Sequence, residues 1–109
     1  MRGRAWQATD RTGGAVDAVL DDLRRHFPDL SVERLVVSRP GDDDNVYFLG
    51  VLPRRDLVQI DTAPAGRAPF IVEADQRVTT DDPAHAAAVA RDLLIRSLAV
   101  AQHDPPETA

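Results

Sequence analysis

The sequence contains no cysteine and no lysine. Without cysteine there are no disulfides, no thiolate metal ligands and no cysteine nucleophile. Aromatic residues are scarce, with one Trp, one Tyr and three Phe, which leaves little to line a ligand pocket. No run of ~18 apolar residues occurs, so no helix of this chain is expected to span a membrane. Basic tracts are missing too. Arg24-Arg25 and Arg54-Arg55 are isolated pairs, whereas a nucleic-acid binder needs a broad cationic footprint to displace counterions from phosphates.

What remains is a chain of 109 residues, 43% hydrophobic and 28% charged, the balance of one globular domain. Thirteen arginines carry all the side-chain cationic charge, beside 16 Ala, 12 Val and 15 Asp, the residue usage of GC-rich codons. The net charge of −5 is unevenly placed: residues 1–41 hold 7 Arg against 6 acids, and residues 42–109 hold 6 Arg against 12. An acidic surface favours solubility and steers cationic partners towards itself. Residues 1–11 read as a flexible arm, 12–103 as a single domain and 104–109, with two consecutive prolines, as a disordered tail. The basic first residues are followed by no apolar segment of an export signal, so the reading is cytoplasmic.

Two helices are signalled. Val16, Val19, Leu20, Leu23 and Phe27 form one stripe at the helical period. Thr12 or Gly13 is the expected start and Pro28 the stop. Asp82 is a good N-cap for a second helix with Pro83 in its first turn. That helix runs to about Gln102 with Ala86, Val89, Ala90, Leu93, Ser97 and Leu98 on one face. Between them Val32–Ser38, Val46–Leu52, Leu57–Asp61 and Phe70–Ala74 read as strands bounded by Pro, Gly and Asp. The expected fold is α+β, a single domain with a four-stranded antiparallel meander sheet flanked by an N-terminal and a C-terminal helix, in the order α-β-β-β-β-α.

Pairing these strands through tight hairpins sets Ile60 opposite Phe70, Val51 opposite Val58, and Leu35 opposite Leu49. One face then holds Leu35, Val37, Tyr47, Leu49, Val51, Val58, Ile60, Phe70 and Val72, and belongs under the helices. The other shows Val36, Val46, Phe48, Leu52, Leu57 and Ile71 among Arg34, Gln59, Asp61 and Glu73. That is too apolar for a solvated sheet face. Either one helix crosses to this side, or the face is left for a partner.

Catalytic signatures are weak. Ser31, Ser38 and Ser97 have no nucleophile elbow around them. His26, His85 and His103 form no metal-binding pair on a helix, and no metal site is expected. Thr12-Gly13-Gly14 ahead of a helix resembles an anion-binding start only superficially, since no strand precedes it. Asp42, Asp43 and Asp44 form the densest run of charge and read as a turn that can meet a basic partner. Trp6, Tyr47 and His85 are candidates for a small-ligand pocket between helices and sheet.

The stretch from Ala68-Pro69-Phe70 through Asp82-Pro83 to Ala86-Ala87 resembles the last third of small actinobacterial immunity proteins encoded beside polymorphic toxins. Those chains share a Pro-Phe strand, a short acidic hairpin, an Asp-Pro helix start and an Ala-rich helix. The same element order is similar to small acidic secretion chaperones. The resemblance implies a non-catalytic, cofactor-free module that binds a protein, possessing no catalytic residue to transfer. The expected partner is a basic protein, a toxin or a secreted effector, rather than nucleic acid or membrane. Its expected contacts are Asp42, Asp43, Asp44, Phe48, Leu57, Gln59, Asp61, Ile71 and Glu73. The alternatives are a structural homodimer joined through the mixed sheet face, and a small-ligand-binding domain with no foreign protein partner.

Overall fold

The computed structural model describes residues 3–7, 10–35 and 45–103, with the backbone alone for residues 3, 4 and 100–103. The elements follow in the order β1 (Gly3–Ala5), α1 (Val16–His26), β2 (Leu30–Leu35), β3 (Val46–Val51), β4 (Arg54–Ala63), β5 (Arg67–Glu73), β6 (Arg77–Thr80) and α2 (Pro83–His103). The strands form one antiparallel sheet in sequence order. The α+β class is as expected, but the sheet has six strands instead of four. The extra two are its edges. Gly3–Ala5 lies within the stretch read as an arm and pairs with Glu33–Leu35. Arg77–Thr80 is too short and polar to announce itself, yet it pairs with Phe70–Glu73.

Both helices lie on one face. Val16, Val19, Leu20 and Leu23 of α1 share a single buried cluster with Ala86, Ala87, Ala90, Leu93 and Leu94 of α2. The sheet contributes Val32, Tyr47, Leu49, Val58, Ile60, Phe70 and Val72 to it. Burying such side chains is worth about 1.5–3 kcal/mol each before ordering entropy is subtracted. On α2 the buried face is broader than expected, because α1 packs along the flank that carries Ala87 and Leu94.

The register differs from the hairpin arithmetic in an instructive way. Ile60 faces Val72, Tyr47 faces Ile60, and Leu49 faces Val58. Each is two residues from the expected pairing, and an even shift leaves every side chain on its original face. In β2 the shift is odd: Val32 faces Leu49 and Arg34 faces Tyr47. Leu35 therefore leaves the helix side, and Leu30 and Val32 replace it. Arg34 turns inward, 5.8 Å over the Tyr47 ring, with Nη1 donating to Asp10 Oδ1 at 3.4 Å. The segment carries apolar residues in both parities, so alternation alone could not choose. Val36, Val37 and Ser38 lie outside the described residues, as does the tail 104–109.

Helix α1 starts later than expected, at Val16 rather than Thr12 or Gly13. The reason is Asp17. Its Oδ1 accepts the Thr12 N–H and the Thr12 hydroxyl, both at 3.0 Å, and its Oδ2 accepts the Gly13 N–H at 2.9 Å. The N–H groups that suggested an anion site are thus taken by an internal carboxylate. The stop is as expected: Phe27 before Pro28 is extended. In α2 the Asp82 carboxylate accepts the Ala84 N–H at 3.0 Å, the N-cap expected there.

Burial alone pushes the Asp17 carboxyl up, but the bonds from Thr12 and Gly13 and the nearby Arg11 outweigh it and hold it below the usual range. The Arg11 guanidinium, bonded to Asp21 at 3.1 Å, holds the Asp21 carboxyl low as well. A depressed folded-state value contributes stability above the ordinary carboxylate range, near ~4, and that contribution fades as pH falls through the folded value. Asp17→Asn is therefore expected to cost about 1–2 kcal/mol at neutral pH and to flatten the acid side of the stability curve. Urea unfolding across a pH series checks this. Wild type and variant losing stability in parallel below about pH 4 would contradict it.

Candidate protein-binding face

With both helices on one side, the other side of the sheet carries two cross-strand rows. In the first, Glu33, Phe48, Gln59, Glu73 and Arg77 follow one another across β2 to β6. In the second, Val46, Asp61, Ile71 and Thr79 do the same across β3 to β6. Side chains on one face of neighbouring strands stand close enough to act together. The result is a field in which half-buried Val46 and Ile71 stand among the carboxylates of Glu33, Asp61 and Glu73.

The polar groups are partly organised. Gln59 Nε2 donates to Asp61 Oδ1 at 2.8 Å, which fixes the Gln59 amide along its own strand. Where β4 begins and β5 ends, a hollow of about 380 Å³ opens at the edge of the sheet, lined by Asp56, Leu57, Val58, Gln59, Glu73, Ala74 and Asp75 and by Ser97 of α2, so it reaches round to the helix layer. Asp56, Glu73 and Asp75 thus put three acidic residues on its lining beside Leu57. Such a space suits a guanidinium or ammonium group on an aliphatic stem.

Of the expected contacts, the structure places Gln59, Asp61, Ile71 and Glu73 on this face, whereas Leu57, beside the irregular start of β4, packs against the core cluster and borders the hollow with Gln59 and Glu73. Phe48 requires correction. It points to this face yet is only 4% exposed, so it has little area to offer a partner. It sits on an inner strand between Glu33 and Gln59. Asp42, Asp43 and Asp44 lie outside the described residues. Leu52 is 47% exposed in the turn between β3 and β4 and is no part of the face. Glu33 and Arg77 were missed. The first follows from the odd shift of β2, and the second from the unrecognised β6.

The other chemical candidates do not converge. Tyr47 is sealed in the core, His85 is exposed beside Thr80, and Trp6 lies 4.5 Å beneath the Arg24 guanidinium. Among the described residues no three His, Asp or Glu side chains are placed to hold a metal ion. No described helix is long and apolar enough to cross a membrane. Comparison of the chain with protein-family models, curated proteins and solved structures returns no significant match.

Proposed function

We propose that the chain is a non-catalytic protein-binding module of the immunity or secretion-chaperone kind, acting in the cytoplasm without a cofactor and holding a basic partner on its open sheet face. The observation that carries this reading is a sheet face, free of both helices, on which half-buried Val46 and Ile71 stand among the carboxylates of Glu33, Asp61 and Glu73. At its edge the hollow bordered by Asp56, Glu73 and Asp75 adds further acids. An arginine or lysine of the partner enters the hollow, and apolar partner residues cover Ile71 and Val46. The charges orient the encounter and raise its rate, while the apolar contacts supply most of the burial. For a toxin, inhibition follows from occlusion of its active site.

The test is capture of the partner from source cells by tagged wild-type protein, compared with Asp61→Arg/Glu73→Arg. Both positions tolerate the change structurally because neither side chain belongs to the core cluster. Like charges facing each other across an interface cost several kcal/mol, so the variant is expected to bind at least about 100-fold more weakly while melting normally. Equal retention of the same protein by both would place its site elsewhere.

A further inference from the structure

Helix α2 is 21 residues long, and its exposed side mixes Ala84, Ala88 and Ile95 with His85, Asp92 and Arg96. At about 100° per residue, Ala84, Ala88, Asp92, Ile95 and Ala99 fall on one stripe opposite the buried Ala86, Ala90, Leu93 and Leu94. Ile95, at 53% exposed, is one of two exposed large apolar side chains among the described residues. Two turns before it the surface is concave. Ala18, Val19 and Asp22 of α1 and Pro83, Ala84, Ala87, Ala88 and Arg91 of α2 line a groove of about 400 Å³.

The charges on this surface have a register of their own. Arg91 Nη1 donates to His26 Nε2 at 3.0 Å, and His26 directs Nδ1 at the Asp22 carbonyl oxygen. No carboxylate pairs with Arg91 among the described residues. Asp92, next to it, is 59% exposed and paired with Arg96 in the manner of a solvated surface pair.

We propose that two copies of this chain associate through the outer face of α2, antiparallel, about a two-fold axis between Arg91 and Asp92. In that arrangement each Arg91 meets Asp92 of the other copy. Each Ile95 stands opposite the other copy's Ala88 and enters its groove, and Ala84 stands opposite Ala99. Knob and hole lie on one surface and are exchanged by the same rotation, which is what an isologous interface requires. The alanines allow the close helix approach at the low end of the usual 8–10 Å. The surface lies on the helix layer, away from the sheet face, so self-association and partner capture stand or fall separately.

Light scattering and sedimentation decide it. Wild type is expected at twice the 11.9 kDa of one chain, dissociating on dilution. Ile95→Asp is expected to raise the dissociation constant by about 30-fold or more with an unchanged far-UV spectrum. Arg91→Asp, which sets two acids against two acids across the axis, is also expected to be monomeric. Arg91→Asp/Asp92→Arg restores the complementarity and is expected to return to the dimer. Wild type that stays monomeric up to its solubility limit overturns the proposal. So does a dimer indifferent to Ile95→Asp, or a double variant no better than Arg91→Asp.

Discussion

Phe70→Ala is expected to cost about 3–5 kcal/mol of stability, the range for removing a fully buried aromatic from a core that collapses only in part. Phe70 has no exposed surface. It stands on β5, paired with Thr80 of β6, in the sheet half that α2 covers. For a domain of this size the loss corresponds to a fall of roughly 15–30 °C in melting temperature. It takes a large part of the ~5–15 kcal/mol that such a domain possesses. Urea titration reads it as a shifted midpoint at constant slope. Ile71→Ala, one residue along and on the opposite face, is expected to cost about 1 kcal/mol, because its side chain is only partly covered. The contrast between neighbours tests which face lies under the helices. Equal losses at the two positions would mean that both faces are packed.

Gly14→Ala is expected to cost about 3 kcal/mol, at the upper end of the overpacking range. A methyl group on Gly14 would fall on the Ala65 carbonyl oxygen and lie 2.8 Å from the Gly66 carbonyl carbon and oxygen. These are backbone atoms of the turn between β4 and β5, and they cannot swing aside. The first turn of α1 therefore rests directly on that turn, and the helix must lift or tilt to admit one carbon. Gly13→Ala supplies the control. Gly13 has a φ of 79° but nothing within 4 Å of an added methyl, so only the left-handed penalty of about 1–2 kcal/mol applies. Thermal or urea unfolding of the two variants separates the causes. If Gly13→Ala proves the more damaging, the close approach at Gly14 is not what seats the helix.

The elements legible in the sequence are those announced by two signals at once. Helix α2 has both a cap, Asp82-Pro83, and an apolar period. Helix α1 has its stripe and a proline stop. The strands β3 to β5 have β-branched runs whose alternation survives an even slip of register, so Tyr47, Leu49, Val58, Ile60, Phe70 and Val72 are assigned to the core despite wrong partners. Where only one signal exists, the reading fails. The apolar residues of 30–37 fall in both parities, and the face of β2 was decided by pairing that hairpin length could not foretell. The edge strands carry too few apolar residues to show a period. The start of α1 depended on Asp17 reaching back to Thr12 and Gly13, a contact that is invisible to a count of spacings.

For the candidate site, alternation was enough to bring Gln59, Asp61, Ile71 and Glu73 to one face. The burial of Phe48 was not legible, because parity assigns a side chain to a face and says nothing of how much of it stays accessible there. Nor was the hollow where β4 begins and β5 ends. It requires Asp75 and Ser97 to arrive from a hairpin and from α2, both set by the six-stranded sheet.

The sequence contains three isoleucines, one in each critical environment: Ile60 in the core, Ile71 on the open sheet face and Ile95 on the outer side of α2. A spectrum of the protein labelled at isoleucine δ-methyls reports all three at once. Titration with the captured partner is expected to shift or broaden the Ile71 signal while Ile60 keeps its position. A complex that forms and leaves Ile71 untouched would contradict the assignment of the open sheet face as the binding surface.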